Sequence, residues 1–147
     1  MEPCLKTPKP MKNRFNPLLQ AVVALSAFTA PLQAGVLYWD GSDTTADADG
    51  GSGSWDTVST NWDSLATAGA DSAWPSSGTD NDAVFAGTVG TVTVDAGGIT
   101  ANDLTFSTAN YILQGGKITL NGTTPTITNA VTATINSEIG GTAGLTK

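Results

Sequence analysis

Leu104-Thr105-Phe106, Tyr111-Ile112-Leu113, Ile118-Thr119-Leu120, Thr126-Ile127-Thr128 and Val131-Thr132-Ala133-Thr134-Ile135 form a train of short apolar segments interleaved with threonine. Apolar residues alternating with hydroxylated ones at period two mark half-buried strands with threonine on the outer face. The segment centres, Thr105, Ile112, Thr119, Ile127 and Thr134, lie 7, 7, 8 and 7 residues apart. Three such steps make a repeat of about 22 residues, within the range of solenoid repeats.

Strands this short, separated by Gly97-Gly98, Gly115-Gly116 and Gly140-Gly141, fit the sides of successive coils of a β-solenoid, each stacked on the next through backbone hydrogen bonds. A small β-sandwich also uses short alternating strands, and spacing alone does not fix strand direction. Both all-β architectures therefore stand at this point. Upstream, Val92-Thr93-Val94 extends the pattern, so Val92 to Lys147 supplies about two and a half coils where roughly three repeats are normally needed for stability. The spacing predicts a solenoid incomplete at its C-terminus, with Gly144-Leu145-Thr146-Lys147 opening a further strand.

Before this train, Gly35 to Gly78 is rich in Asp, Ser and Gly and holds all four tryptophans, Trp39, Trp55, Trp62 and Trp74. Trp74-Pro75-Ser76-Ser77-Gly78 is a turn signal that closes it. An indole buries about 150 to 250 Å², and a glycine-rich segment with few other large apolar residues needs such side chains for a core. The expectation is a Trp-rich N-terminal cap over residues 35–78, followed by the first coils over 79–147.

Residues 1–34 read as a signal peptide. Lys6, Lys9, Lys12 and Arg14 precede an apolar run from Leu18 to Ala30, and Pro31-Leu32-Gln33-Ala34 places cleavage after Ala34. The run is about 13 residues, shorter than the roughly 20 of a membrane span, so contact with a membrane is expected only through export. Met11-Lys12-Asn13-Arg14 makes a compact alternative start to Met1. The only cysteine, Cys4, lies ahead of the apolar run, where a lipid anchor would not use it.

All 17 glycines follow Ala34, and residues 35–147 hold twelve acidic side chains against Lys117 and Lys147, a net charge of −10. Such a surface repels nucleic acid and anionic lipid. With no Cys, His or Arg after residue 34, the segment has no disulfide, no imidazole or thiolate zinc ligand and no nucleophile–histidine pair for acyl transfer. A β-helix lyase, which typically uses an arginine base beside calcium carboxylates, is disfavoured on the same count, since Arg14 leaves with the signal peptide. Asp80 with Asp82, or Asp95 with Asp103, would be the carboxylate pairs for a glycosidase, but turn formation accounts for them more simply.

Two binding readings remain. Thr45 to Asp56 tracks a calcium loop, with Asp47, Asp49 and Asp56 at positions 3, 5 and 12 and Gly50 at position 6; Thr45 at position 1, the absence of a terminal Glu and the absence of flanking helices favour a plain Asp/Gly loop. Trp55, Trp62 and Trp74 are candidate sugar platforms, the requirement of a secreted carbohydrate-binding β-module. The Trp-Asp pairs are too closely spaced for a propeller, which needs one per blade of about 40 residues.

Taken in order, Tyr38-Trp39-Asp40-Gly41, Gly53-Ser54-Trp55-Asp56, Thr60-Asn61-Trp62-Asp63, Asn81-Asp82-Ala83-Val84-Phe85, Gly90-Thr91-Val92-Thr93-Val94 and the closing Ile139-Gly140-Gly141-Thr142-Ala143-Gly144-Leu145-Thr146-Lys147 resemble the N-terminal region of proteins carrying autotransporter-associated β-strand repeats. These are large exported proteins of Gram-negative and related bacteria. The resemblance implies a right-handed parallel β-helix passenger at the cell surface or released from it, without a catalytic site. It departs from the family in lacking the downstream repeats and a C-terminal barrel. The expected function is a structural or adhesive passenger segment whose partners are surface glycans or other cell-surface proteins.

Overall fold

The computed structural model describes residues 35–43, 45–76 and 81–147; the export segment 1–34 and the boundary expected at residue 78 lie outside the described residues. Among them the chain is all-β, with thirteen short strands and no helix. The first four are β1 (Val36–Trp39), β2 (Gly53–Trp55), β3 (Trp62–Asp63) and β4 (Asp71–Ser72). Three successive triplets follow. They are β5 (Asp82–Phe85), β6 (Thr91–Val94) and β7 (Ile99–Ala101); β8 (Leu104–Phe106), β9 (Ile112–Gly115) and β10 (Ile118–Leu120); and β11 (Ile127–Asn129), β12 (Thr134–Ile135) and β13 (Ile139–Gly141).

Each triplet gives one strand to each of three sheets, whose orders are β11-β8-β5-β1-β3-β4, β12-β9-β6-β2 and β13-β10-β7. Every pairing between triplets is parallel. This is a β-helix-like architecture and not the meander of a sandwich. The register repeats at 21 and 23 residues in the first sheet (Ala83↔Leu104, Leu104↔Ile127), at 21 and 22 in the second (Val92↔Leu113, Leu113↔Ile135) and at 19 and 21 in the third (Ile99↔Ile118, Ile118↔Ile139).

Alternation puts Phe85 and Phe106, Val92 and Leu113, and Ile99 and Ile118 inside as stacked ladders, all of them buried. Phe85 and Phe106, register partners, stack with ring centroids 5.0 Å apart and planes 15° from parallel. Thr93, Thr105, Thr119 and Thr128 take the alternate positions and are partly or fully exposed. Coils approach so closely at one corner that a Cβ at Gly116 would overlap the backbone oxygen of Asp95. Glycine is required there by contact between coils, since Gly116 needs no left-handed φ.

Residues 35–76 are joined to the coils as well as lying over them. β1 pairs in parallel with β5, and β2 with β6, so the cap supplies the first strands of two ladders. β3 and β4 then add antiparallel strands beyond β1. The third sheet has no such extra strand, and the indole of Trp74 covers its edge by donating to the Thr100 carbonyl at 2.9 Å. Edge strands left open invite unwanted pairing, and this indole occupies one acceptor on the β7 edge. At the other end Thr146 pairs in parallel with Thr126, where the closing residues were expected to begin a strand.

Candidate functional site

The cap concentrates the chain's unusual chemistry. Trp39, Trp55, Trp62 and Trp74 are 0 to 1% exposed. Trp62 sits at the centre, its ring centroid 5.1 Å from those of Trp39 and Trp55, 4.6 Å from Trp74 and 5.7 Å from Phe85. Tilted and edge-to-face arrangements dominate, as the ring quadrupoles favour. Trp55, Trp62 and Trp74 therefore offer no face to a sugar, and the platform reading is corrected: the glycine-rich segment used its indoles to build a core.

Trp39 donates to the Gly51 carbonyl at 2.8 Å and Trp74 to Thr100, whereas the indole N–H groups of Trp55 and Trp62 have no hydrogen-bond partner among the described residues. Tyr111, wholly buried, ties the cap to the coils. Its hydroxyl lies 2.7 and 2.6 Å from the carbonyl oxygens of Ala86 and Thr88, one of which takes its proton, and accepts from Gly51 N–H at 3.2 Å. Burial, only partly offset by that N–H, pushes the Tyr111 phenol up from its ordinary range.

On the opposite face of the same strands, three carboxylates converge. Asp40 follows β1, Asp63 ends β3 and Asp71 opens β4, and their oxygens lie within 4.8 Å of one another. The pairing places them: Trp39↔Trp62 and Tyr38↔Asp63 set β1 beside β3, and Asp63 is the register partner of Asp71. Asp40 and Asp63 are 0% exposed. Asp40 Oδ1 accepts from Asp49 N–H at 2.9 Å, but Asp40 Oδ2 and both oxygens of Asp63 have no hydrogen-bond partner among the described residues.

Burial pushes Asp40 up to about 6, aided by repulsion from Asp43, Asp63 and Asp71 and opposed by the Asp49 N–H. Burial likewise raises Asp63, with repulsion from Asp71, Asp43 and Asp47 added. The loop from Ser64 to Ala70 covers the cluster. A Cβ on Gly69 would stand 3.0 Å from the Asp63 side chain, and Ala68 N–H donates to Asp47 Oδ1 at 3.0 Å.

The aspartates singled out from sequence are arranged differently. Asp47 and Asp49 are exposed; Asp47 Oδ1 accepts from Ala68 N–H at 3.0 Å and Asp49 Oδ2 from the Thr45 hydroxyl at 3.4 Å. Asp56 lies outside their group, closing its own turn by accepting from Val58 N–H, Ser59 N–H and the Ser59 hydroxyl. Although burial works against it, those three donors hold the Asp56 carboxyl below its ordinary range. The calcium-loop pattern is thus corrected: Asp47, Asp49 and Asp56 do not converge as one ligand set, and Asp40, Asp63 and Asp71 do. Asp95 closes its own turn by accepting from Gly97 N–H, whereas Asp82, at the start of β5, and Asp103 accept from the next coil, from the Asn102 amide and Thr126 N–H.

A groove of about 550 Å³ runs along the second sheet between Ser54, Asp56, Thr93, Asp95 and Gly116. It contains hydroxyls and two carboxylates already engaged in turns.

Against known proteins, the chain is similar to the adhesin BmaC autotransporter of Brucella suis biovar 1 (strain 1330), with 42% identity over 136 residues. The match covers 90% of this chain, and the chain spans about 4% of the length of that relative. No family model matches the chain, and no solved structure matches it.

Proposed function

We propose that this chain is a segment of an exported surface protein with a structural and adhesive role and no enzymatic one, wound as a right-handed parallel β-helix. The similarity to an autotransporter adhesin over nine-tenths of the chain carries this reading. The three parallel ladders support it, because a stack of coils offers a long, repetitive outer face. Here the outer faces of the three sheets bear Thr93, Thr105, Thr119 and Thr128 with no nearby cluster of bases, polar surfaces suited to weak, multivalent contacts with glycans or cell-surface proteins. The lack of His, Cys and Arg after residue 34 supports a role without catalysis.

The test compares producing cells with a strain deleted for the gene, using protease shaving of intact cells, N-terminal sequencing of the shed protein and attachment to glycan-coated and cell-coated surfaces. A surface-exposed protein beginning at Gly35, whose loss reduces attachment, is the expected result. An intracellular protein, or unchanged attachment after deletion, would refute the reading.

A further inference from the structure

We propose that Asp40, Asp63 and Asp71 bind a hard divalent cation, Ca²⁺, that clamps β1, β3 and β4 together in the cap. Two of these carboxylates are completely buried, and three of their oxygens have no hydrogen-bond donor among the described residues. Removing a carboxylate from water without a partner costs several kcal/mol, and buried charges in folded proteins are accordingly paired or bound to metal.

No side-chain cation is at hand among the described residues to do this. Residues 35–147 contain only Lys117 and Lys147 as bases. Lys117 lies on the coils and pairs with Glu138 at 3.1 Å, and Lys147 borders a pocket with Phe106 and Ile127 at the far end of the stack.

Distance and hydration together narrow the cation. Carboxylate oxygens within 4.8 Å of one another are close enough to share one small divalent ion. Ca²⁺ takes several protein oxygens at about 2.3 to 2.6 Å, whereas Mg²⁺ dehydrates reluctantly and is seldom held in an all-protein cage. An all-oxygen, all-carboxylate donor set also favours calcium over zinc, which takes thiolate and imidazole.

The surroundings hold the ligands in place. Asp49 N–H fixes one oxygen of Asp40 and leaves Oδ2 for the site. Asp47 draws in the loop over Asp63 through Ala68 N–H, and Gly69 lets that loop lie directly on the Asp63 carboxylate. The Asp-rich loop thus supports the site from outside it. Such a clamp would serve the cap whatever the outer face of the coils binds.

The experiment uses the full chain, stripped with EDTA. Tb³⁺ is titrated while exciting tryptophan, since Trp62 adjoins Asp63 and would sensitise a bound lanthanide; Ca²⁺ and Mg²⁺ are then competed against it, and thermal unfolding is followed with Ca²⁺ and with EDTA. Expected are a sensitised signal displaced by Ca²⁺ at lower concentration than by Mg²⁺, and a rise in Tm on the order of 10 °C at a hundredfold excess over Kd. Asp63→Asn should weaken Ca²⁺ binding by more than the roughly tenfold that loss of an outer partner costs, while Asp56→Asn leaves it unchanged. Should Asp63→Asn fail to fold, Asp71→Asn, at the half-buried rim, reads the same loss. Equal Tm in Ca²⁺ and EDTA, or undiminished Ca²⁺ affinity in the folded Asp63→Asn or Asp71→Asn protein, would overturn the proposal.

Discussion

Replacing each of the four tryptophans in turn by phenylalanine separates packing from hydrogen bonding in the cap. All four side chains are buried to within 1%, so the loss of ring volume is of the same kind at each position. The polar consequences differ. Trp39→Phe and Trp74→Phe leave the carbonyls of Gly51 and Thr100 without their indole donors. Trp55→Phe and Trp62→Phe instead delete buried N–H groups that have no partner among the described residues. Losing a made bond costs about 1 to 2 kcal/mol, whereas removing an unsatisfied donor recovers part of its desolvation penalty. The first pair should therefore be less stable than the second by about 1 to 3 kcal/mol. With a urea m value of about 1 to 3 kcal/mol/M, the unfolding midpoints should separate by on the order of 1 M. Equilibrium urea titration monitored by far-UV circular dichroism reads this without depending on the altered fluorescence. Four equal midpoints, or Trp55→Phe and Trp62→Phe as the weaker pair, would refute the assignment of hydrogen bonds in the cap.

Three further outcomes are expected. Gly116→Ala should lower stability by about 1 to 3 kcal/mol through overpacking against the Asp95 carbonyl, whereas Gly144→Ala, whose Cβ meets nothing within 4 Å, should change thermal stability by less than about 0.5 kcal/mol. The raised phenol of Tyr111 contributes stability that is present below its ordinary value of 10.0 and is lost as pH rises through the higher folded value; alkaline unfolding should be less steep in Tyr111→Phe, which is weaker at pH 7 by about 1 kcal/mol for the lost hydroxyl bonds. The depressed carboxyl of Asp56 has the opposite sign, adding stability above its ordinary value of 3.8 that is lost as pH falls through the lower folded value. Asp56→Ala should accordingly be destabilised at pH 7 by about 1 to 3 kcal/mol and approach the parent as pH falls through that lower value, as read by thermal melts across pH.

Much of the architecture was legible because the coils obey a local rule. Alternation at Leu104-Thr105-Phe106 and Ile118-Thr119-Leu120 falls on β8 and β10 as expected, and the repeat of about 22 residues agrees with register steps of 19 to 23. Strand boundaries were blurred where side-chain chemistry and pairing diverge. Tyr111, expected in a strand, lies just before β9 with its hydroxyl in the cap. The run from Val131 shrinks to Thr134–Ile135, while Ile99–Ala101, too short and glycine-flanked to stand out, forms β7.

The acidic cluster was not legible, because its members are 23 and 8 residues apart and meet only through the β1–β3–β4 pairing. Density of aspartate drew attention to Asp47 and Asp49, which are exposed. The recurring Trp-Asp pair held the usable signal. In Trp39-Asp40 and Trp62-Asp63 the indole enters the core and the aspartate is buried beyond it, whereas Asp56 of the third pair turns back on its own loop.

The cap closes its end of the stack in steps. There the three sheets stop at different levels, the first running two strands past β1, the second ending at β2 and the third at β7. A duplicated coil of about 22 residues would find no matching landing on that stepped end, whereas inserted between two triplets it would meet parallel partners on all three sheets at once. Lengthening by gene duplication or by design therefore belongs within the stack, adding about 4.8 Å of height per coil while the cap is carried along unchanged.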